Sequence, residues 1–196
     1  MARYDERTAL VVVDVQNDFA DPAGSLAVEG GVDVLSVINE AVERARDAGA
    51  LVVATQDWHP ESTPHFARDG GTWPVHCVGG TWGAELHPTL RLPATAPRIR
   101  KGQNGEDGYS AFTMRDPKTG EETPTELESI LRDREIERVV VCGLATDYCV
   151  RATALDAVRL GFDVTVLGKA CAAVNLEPHH GDAAISEMAD AGVEVA

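Results

Sequence analysis

The stretch from Val139 to Val150, VVVCGLATDYCV, constrains the fold most. Its β-branched start reads as a buried strand. Gly143 breaks the run, and Asp147 then fits a helix N-cap. Tyr148 to Leu160 (YCVRATALDAVRL) spaces its apolar residues as a helix does. The same strand-then-helix grammar recurs along the chain. Strands are expected at Ala9–Val13, Ala50–Thr55, Arg98–Arg100, Asp163–Leu167 and Val193–Val195. Helices are expected at Val32–Ala48, Thr125–Arg132 and Pro178–Ala191. This alternation predicts an α/β fold, a parallel sheet with helices on both faces. Neither an internal repeat nor an interdomain linker interrupts it, so residues 1–196 read as one domain.

The pivot stretch also places a nucleophile. Cys149 falls in the first turn of a helix, at the carboxyl end of a strand. Free N–H groups and the positive end of the helix dipole lie there, and both favour a thiolate. Cys142, inside the strand, reads as an inert buried thiol, and Cys171 as a residue of the loop after the Asp163 strand. Asp14, Asp57 and Lys101 also follow expected strands. In an open parallel sheet, ligands bind outside the carboxyl ends of the strands, so these scattered residues can converge on one crevice. Asp14 is the candidate base for the thiol. Lys101 is the candidate cation that would hold Cys149 as thiolate and Asp14 as carboxylate. The turn Gly143-Leu144-Ala145-Thr146 can present the amides of Ala145 and Cys149 to an oxyanion. Read blandly, Gly143 simply lets the chain turn.

A second constellation lies in the long segment from Gln56 to Pro97, rich in Gly, Pro, His and Trp. Such loops in compact domains are usually functional. Asp57 and His59 sit at i and i+2, followed by His65 and His76. One carboxylate and three imidazoles suit one divalent transition metal, Zn, Fe or Mn. Cys77 competes with His76 as a ligand. His87 reads as structural, and His179 and His180 as surface residues.

Composition removes some function classes. The net charge is −15, from 17 basic and 32 acidic residues, and such a surface repels phosphate backbones and anionic lipid. Nucleic-acid and membrane partners are therefore not expected. No apolar run approaches the ~20 residues of a membrane span. The N-terminus lacks a signal-peptide pattern, and four cysteines without framework spacing suit a reducing compartment, the cytoplasm. Assembly into a homo-oligomer stays open.

Taken in order, these motifs cover nearly the whole chain. They are D-V-Q-N-D-F at Asp14–Phe19, Gly24-Ser-Leu26, Asp57-Trp-His59, Trp73-Pro-Val-His-Cys77, Lys101-Gly102, Tyr109-Ser-Ala-Phe112 and Gly143-Leu-Ala-Thr-Asp-Tyr-Cys149. The set resembles the nicotinamidases (pyrazinamidases) of the isochorismatase-like cysteine hydrolases. The resemblance implies a three-layer sandwich around a central, mostly parallel six-stranded sheet. It implies hydrolysis of nicotinamide to nicotinate and ammonia through a cysteine thioester, a step of NAD salvage. It makes Cys149 the nucleophile, Asp14 the base, Lys101 the third triad member, and Asp57, His59, His65 and His76 the metal ligands. It implies a cis peptide between Leu144 and Ala145, with the amides of Ala145 and Cys149 as oxyanion hole. Phe19, Leu26, Trp73, Tyr109 and Leu144 match the substrate pocket. Two other readings stand beside it. One is a cysteine amidohydrolase for another amide or carbamoyl compound. The other is a metal or thiol sensor without turnover, against which the absence of a resolving cysteine near Cys149 argues.

Overall fold

The computed structural model describes residues 2–196. Six strands form one sheet: β1 (Thr8–Val13), β2 (Leu51–Asp57), β3 (Arg98–Lys101), β6 (Arg138–Leu144), β7 (Asp163–Ala172) and β8 (Glu194–Val195). Their order is β3-β2-β1-β6-β7-β8, and every pairing is parallel. β4 (Thr113–Arg115) and β5 (Glu122–Pro124) form a separate antiparallel pair that the sequence pattern did not suggest. The helices are α1 (Asn17–Ala20), α2 (Leu35–Asp47), α3 (Leu127–Asp133), α4 (Arg151–Arg159) and α5 (His180–Asp190).

Strand alternation divides the core in two. Leu10, Val12, Val52, Val140 and Cys142 face α2, through Leu35, Ile38 and Val42. Ala9, Val11, Val13, Val139 and Val141 face the other way, toward Leu127 and Leu131 of α3, Ala154 and Ala157 of α4, and Met188 of α5. The β-branched runs are buried on both faces because helices cover both, which is the three-layer arrangement expected. Each fully buried Val or Leu contributes roughly 1.5–3 kcal/mol over exposure.

Three expectations are corrected in β6, β7 and the segment after β6. Gly143 does not end β6. The strand runs on to Leu144 through a register shift, with Gly143 at φ +117°. A Cβ there would lie 2.1 Å from the Val13 carbonyl oxygen, so the close approach of β1 requires glycine. Asp147 caps no helix. Thr146–Val150 forms one π-helical turn whose N-cap is Ala145, and α4 begins only at Arg151. The Asp147 carboxylate instead accepts the amides of Val174 and Asn175, at 2.9 and 2.8 Å. Finally, β7 extends to Ala172, so Cys171 lies in a strand, opposite Gly143, and not in a loop.

Candidate active site

All four residues expected at strand ends meet at the carboxyl edge of the sheet. Asp14 follows β1, Asp57 and Lys101 close β2 and β3 in register with each other, and Cys149 sits in the turn after β6. The Lys101 ammonium donates to Asp14 Oδ2 at 2.8 Å and to the Tyr109 carbonyl at 3.3 Å, and lies 2.9 Å from Asp57 Oδ1. The Cys149 Sγ is 3.7 Å from the same Nζ. Asp14 and Lys101 are 0% and 1% exposed, so water does not screen these contacts.

Burial sets the electrostatics. It pushes the Asp14 carboxyl up, Lys101 pulls it back, and Asp57 pushes it up again. Burial would also lift Asp57, but Lys101, His59 and His76 outweigh it and hold that carboxyl below the usual range. Burial disfavours the Lys101 ammonium, yet Asp14 and Asp57 hold its pKa well above the ordinary value. For Cys149 burial dominates and pushes the thiol well up; Lys101 opposes, while Asp14 and Asp57 add to the rise. This direction runs against the expectation of a resting thiolate. Burial beside two carboxylates outweighs the lysine and favours the thiol over the thiolate, with a base of raised pKa beside it.

The second cluster forms one ring of imidazoles. His59, His65 and His76 each offer a nitrogen, and these atoms lie within 4.8 Å of one another. Phe66, fully buried, packs edge-on against His59 and His76 at 5.5 Å. The His59 pKa is pushed down to about 4 by burial, assisted by the neighbouring His65 and His76 against Asp57. Burial lowers His65 too. Both are therefore neutral and able to ligate. The Pro74 carbonyl lies 2.7 Å from His76 Nδ1, which directs a proton to that atom and leaves Nε2 for the cluster. Both buried ring nitrogens of His59 lack a hydrogen-bond partner among the described residues. A buried polar group seldom stays unpaired, so the donor set fits a cation. Asp57 is set apart from this ring. Its Oδ2 is 3.9 Å from His59 Nε2, while its Oδ1 is turned to Lys101. Cys77 does not join, since its buried thiol points at the Gly83 carbonyl. His87 is buried and accepts the Thr89 amide, as a structural residue would.

Between the two clusters opens a narrow cleft. Phe19, Leu26, Trp73, Tyr109 and Leu144 all line it, together with Ala145, Cys149, His65 and His76. Trp73 Nε1 donates to the Tyr109 hydroxyl at 3.1 Å, which locks these two walls. The Leu144–Ala145 peptide is cis. The Ala145 carbonyl accepts the amides of Tyr148 and Val150, which flank that of Cys149. A larger groove lies at the amino ends of β1, β2 and β6 among Arg7, Arg46 and Arg134, away from these clusters.

Several residues that shape the site were not singled out from sequence. Val28, Tyr148 and Val174 complete the cleft. Gln16 brackets Asp57, donating to its carbonyl at 2.7 Å and accepting its amide at 2.8 Å. Asp18 accepts the amides of Cys77 and Ser25, tying the histidine loop to the segment after α1. Thr55 contacts Asp14. The usable signal was D-V-Q-N-D-F itself, a run of buried polar residues directly after an apolar strand.

A parallel α/β sheet carrying a Cys, Asp and Lys cluster at its carboxyl edge defines the class of fold and site. The chain belongs to the isochorismatase family, whose domain model, Isochorismatase domain, matches residues 8–196. It is 40% identical over 200 residues to a nicotinamidase of Escherichia coli, covering 94% of this chain and 92% of that protein. The pyrazinamidase of Pyrococcus horikoshii, solved in complex with zinc, superposes with TM-score 0.86 at 41% identity, over 97% of this chain and 98% of that one. PnC1 from L. infantum, solved in complex with nicotinate, gives TM-score 0.89 at 39% identity, over 100% and 95% of the two chains.

Proposed function

We propose that this protein is an amidohydrolase that converts nicotinamide to nicotinate and ammonia, with Cys149, Asp14 and Lys101 as its catalytic residues. One observation carries the reading. Cys149 Sγ lies 3.7 Å from a lysine paired with Asp14, and opens onto an aromatic-walled cleft that His65 and His76 also line. The likeness to nicotinamidases supports the choice of substrate.

Asp14 takes the Cys149 proton as the sulfur attacks the carboxamide carbon, because the thiol does not ionise on its own in this pocket. Lys101 balances the carboxylates of Asp14 and Asp57 and keeps the base aligned. The amides of Ala145 and Cys149 receive the oxyanion; losing one such donor costs on the order of 3 kcal/mol of barrier. Asp14 hands its proton to the departing ammonia, leaving a thioester on Cys149. Asp14 then deprotonates a water, which attacks the thioester and frees nicotinic acid; the proton on Asp14 returns to sulfur, and the acid ionises to nicotinate as its own proton passes to ammonia or bulk water. Phe19, Trp73 and Tyr109 enclose the ring, and Leu26 and Leu144 exclude water from it. His59, His65 and His76, with Asp57, would hold a divalent transition metal (Zn, Fe or Mn). When bound, such an ion offers a Lewis-acid contact to the ring nitrogen.

Ammonia release from nicotinamide, pyrazinamide, benzamide and picolinamide tests the reading. Nicotinamide and pyrazinamide both carry a nitrogen meta to the carboxamide-bearing carbon and should be cleaved. Benzamide has none and picolinamide misplaces it, so both should fall roughly a hundredfold in kcat/KM. No release from nicotinamide sinks the assignment. Equal turnover of benzamide leaves the histidine cluster without its part in recognition.

A further inference from the structure

Asp14 stands at φ +48°, a left-handed backbone position that non-glycine residues rarely hold without support. The support comes from Thr55, 41 residues away on β2 and fully buried. Its hydroxyl accepts the Asp14 amide at 3.1 Å and donates to Asp14 Oδ1 at 2.5 Å. A hydroxyl has one proton to give. Because an N–H already points at its oxygen, that proton is directed to the carboxylate.

We infer that Thr55 is a positioning residue for the base: it holds the Asp14 carboxylate in one orientation and steers the transferred proton to Oδ2. Oδ1 receives the Thr55 hydroxyl. Oδ2 faces the Lys101 ammonium at 2.8 Å, the same ammonium that lies 3.7 Å from the Cys149 sulfur. Without the hydroxyl, Oδ1 loses its hydrogen bond while Lys101 still holds Oδ2, so the carboxylate can pivot about that contact and its alignment to the sulfur loosens. General-base catalysis typically contributes 10²–10⁴-fold and depends on this alignment, so a misaligned base forfeits part of that factor and not all of it. Thr55 itself touches neither substrate nor the reacting atoms. This inference rests on the proposed hydrolase reading.

The experiment compares Thr55→Val, close in shape but without the hydroxyl, with Thr55→Ser, which keeps it. Both kcat and KM for nicotinamide are measured, and in parallel the rate of Cys149 capture by iodoacetamide, read by mass spectrometry. Thr55→Val should lose about tenfold or more in kcat with KM within about twofold, and should slow iodoacetamide capture. Thr55→Ser should restore both to within about threefold. If the Ser variant is as impaired as the Val variant, the methyl group and not the hydroxyl matters, and the inference is overturned. Near-normal kcat in Thr55→Val also overturns it. Wild-type turnover tests the hydrolase reading separately. Should the wild type leave nicotinamide intact, the Val-to-Ser contrast in iodoacetamide capture still decides the role of Thr55.

Discussion

The two clusters at the carboxyl edge of the sheet differ in how they are finished. Asp14, Lys101 and Cys149 hang on strand ends, and each charge there is met by another side chain: one ammonium lies against two carboxylates, at 2.8 and 2.9 Å. His59, His65 and His76 hang on the long segment after β2, whose backbone is clipped by hydrogen bonds such as His59 N–H to the Cys77 carbonyl. Their rings face one another, and His59 keeps two buried nitrogens with no partner among the described residues. Isolated buried ions cost several kcal/mol each, so the charges of the first cluster must be paired with one another for the chain to fold. The second is built of imidazoles, and burial lowers the pKa of two of them, His59 and His65, so it tolerates being incomplete. The chain thus builds its nucleophile site outright and builds a receptor for an ion beside it.

Removing the nucleophile separates the two most sharply. Cys149→Ala takes away the only atom that can form the thioester, so turnover should fall by at least about 10⁴-fold. The histidines do not touch that sulfur, so metal content by plasma emission and the melting temperature should stay at wild-type levels. Substantial residual turnover would move the chemistry elsewhere. A parallel loss of metal would show that the clusters are one structural unit.

His59→Ala attacks the other side. It removes the imidazole whose nitrogens are left unpaired, and losing a ligand should weaken metal binding by more than about 100-fold, the upper range for losing only a supporting partner. The preference for nicotinamide over benzamide should shrink with it, while iodoacetamide capture of Cys149 continues. If the variant keeps both its metal and its discrimination, His65, His76 and Asp57 suffice, and His59 needs another explanation.

Legibility in the sequence followed the same divide. Cys149, Asp14, Lys101 and Asp57 could be found because strand ends in a parallel sheet converge wherever they fall in the chain. The histidines could be found from local spacing. What escaped was the set of hydrogen bonds between them. Thr55 looks like any β-branched strand former until the fold brings it to Asp14. Gln16 holds Asp57 across 41 residues, which no periodicity reports. Asp147 has the right residue type for a cap, yet its carboxylate goes to Val174 and Asn175 because a π-helical turn displaces the helix start to Arg151. The end of β7, Gly168 to Ala172, lacks the β-branched signal, and pairing with β6 makes it a strand regardless. The upward push on the Cys149 thiol escaped because dipole and charge are visible in sequence while depth of burial is not.

The smallest effect is expected at Cys171, and it tests how self-contained the nucleophile site is. Cys171 pairs in register with Gly143, two residues before Ala145, so it is the cysteine best placed to disturb the Cys149 turn from behind. Burial pushes its thiol up to about 12, against a weaker opposing hydrogen bond from the Gly143 backbone, so at neutral pH it is a thiol and not a competing nucleophile. Replacing it with alanine deletes one sulfur, about 1 kcal/mol of packing at most for a half-buried position. The β6–β7 ladder is carried by backbone bonds that the substitution leaves alone. Cys171→Ala should therefore keep kcat/KM for nicotinamide within about twofold of wild type, since 1 kcal/mol of stability lost from a folded protein changes the active fraction very little. Steady-state kinetics beside a thermal melt reads both quantities. A loss of tenfold or more with an unchanged melting temperature would mean that side-chain packing behind Gly143 sets the geometry of the turn, and that the nucleophile cluster depends on its surroundings as much as the histidine cluster does.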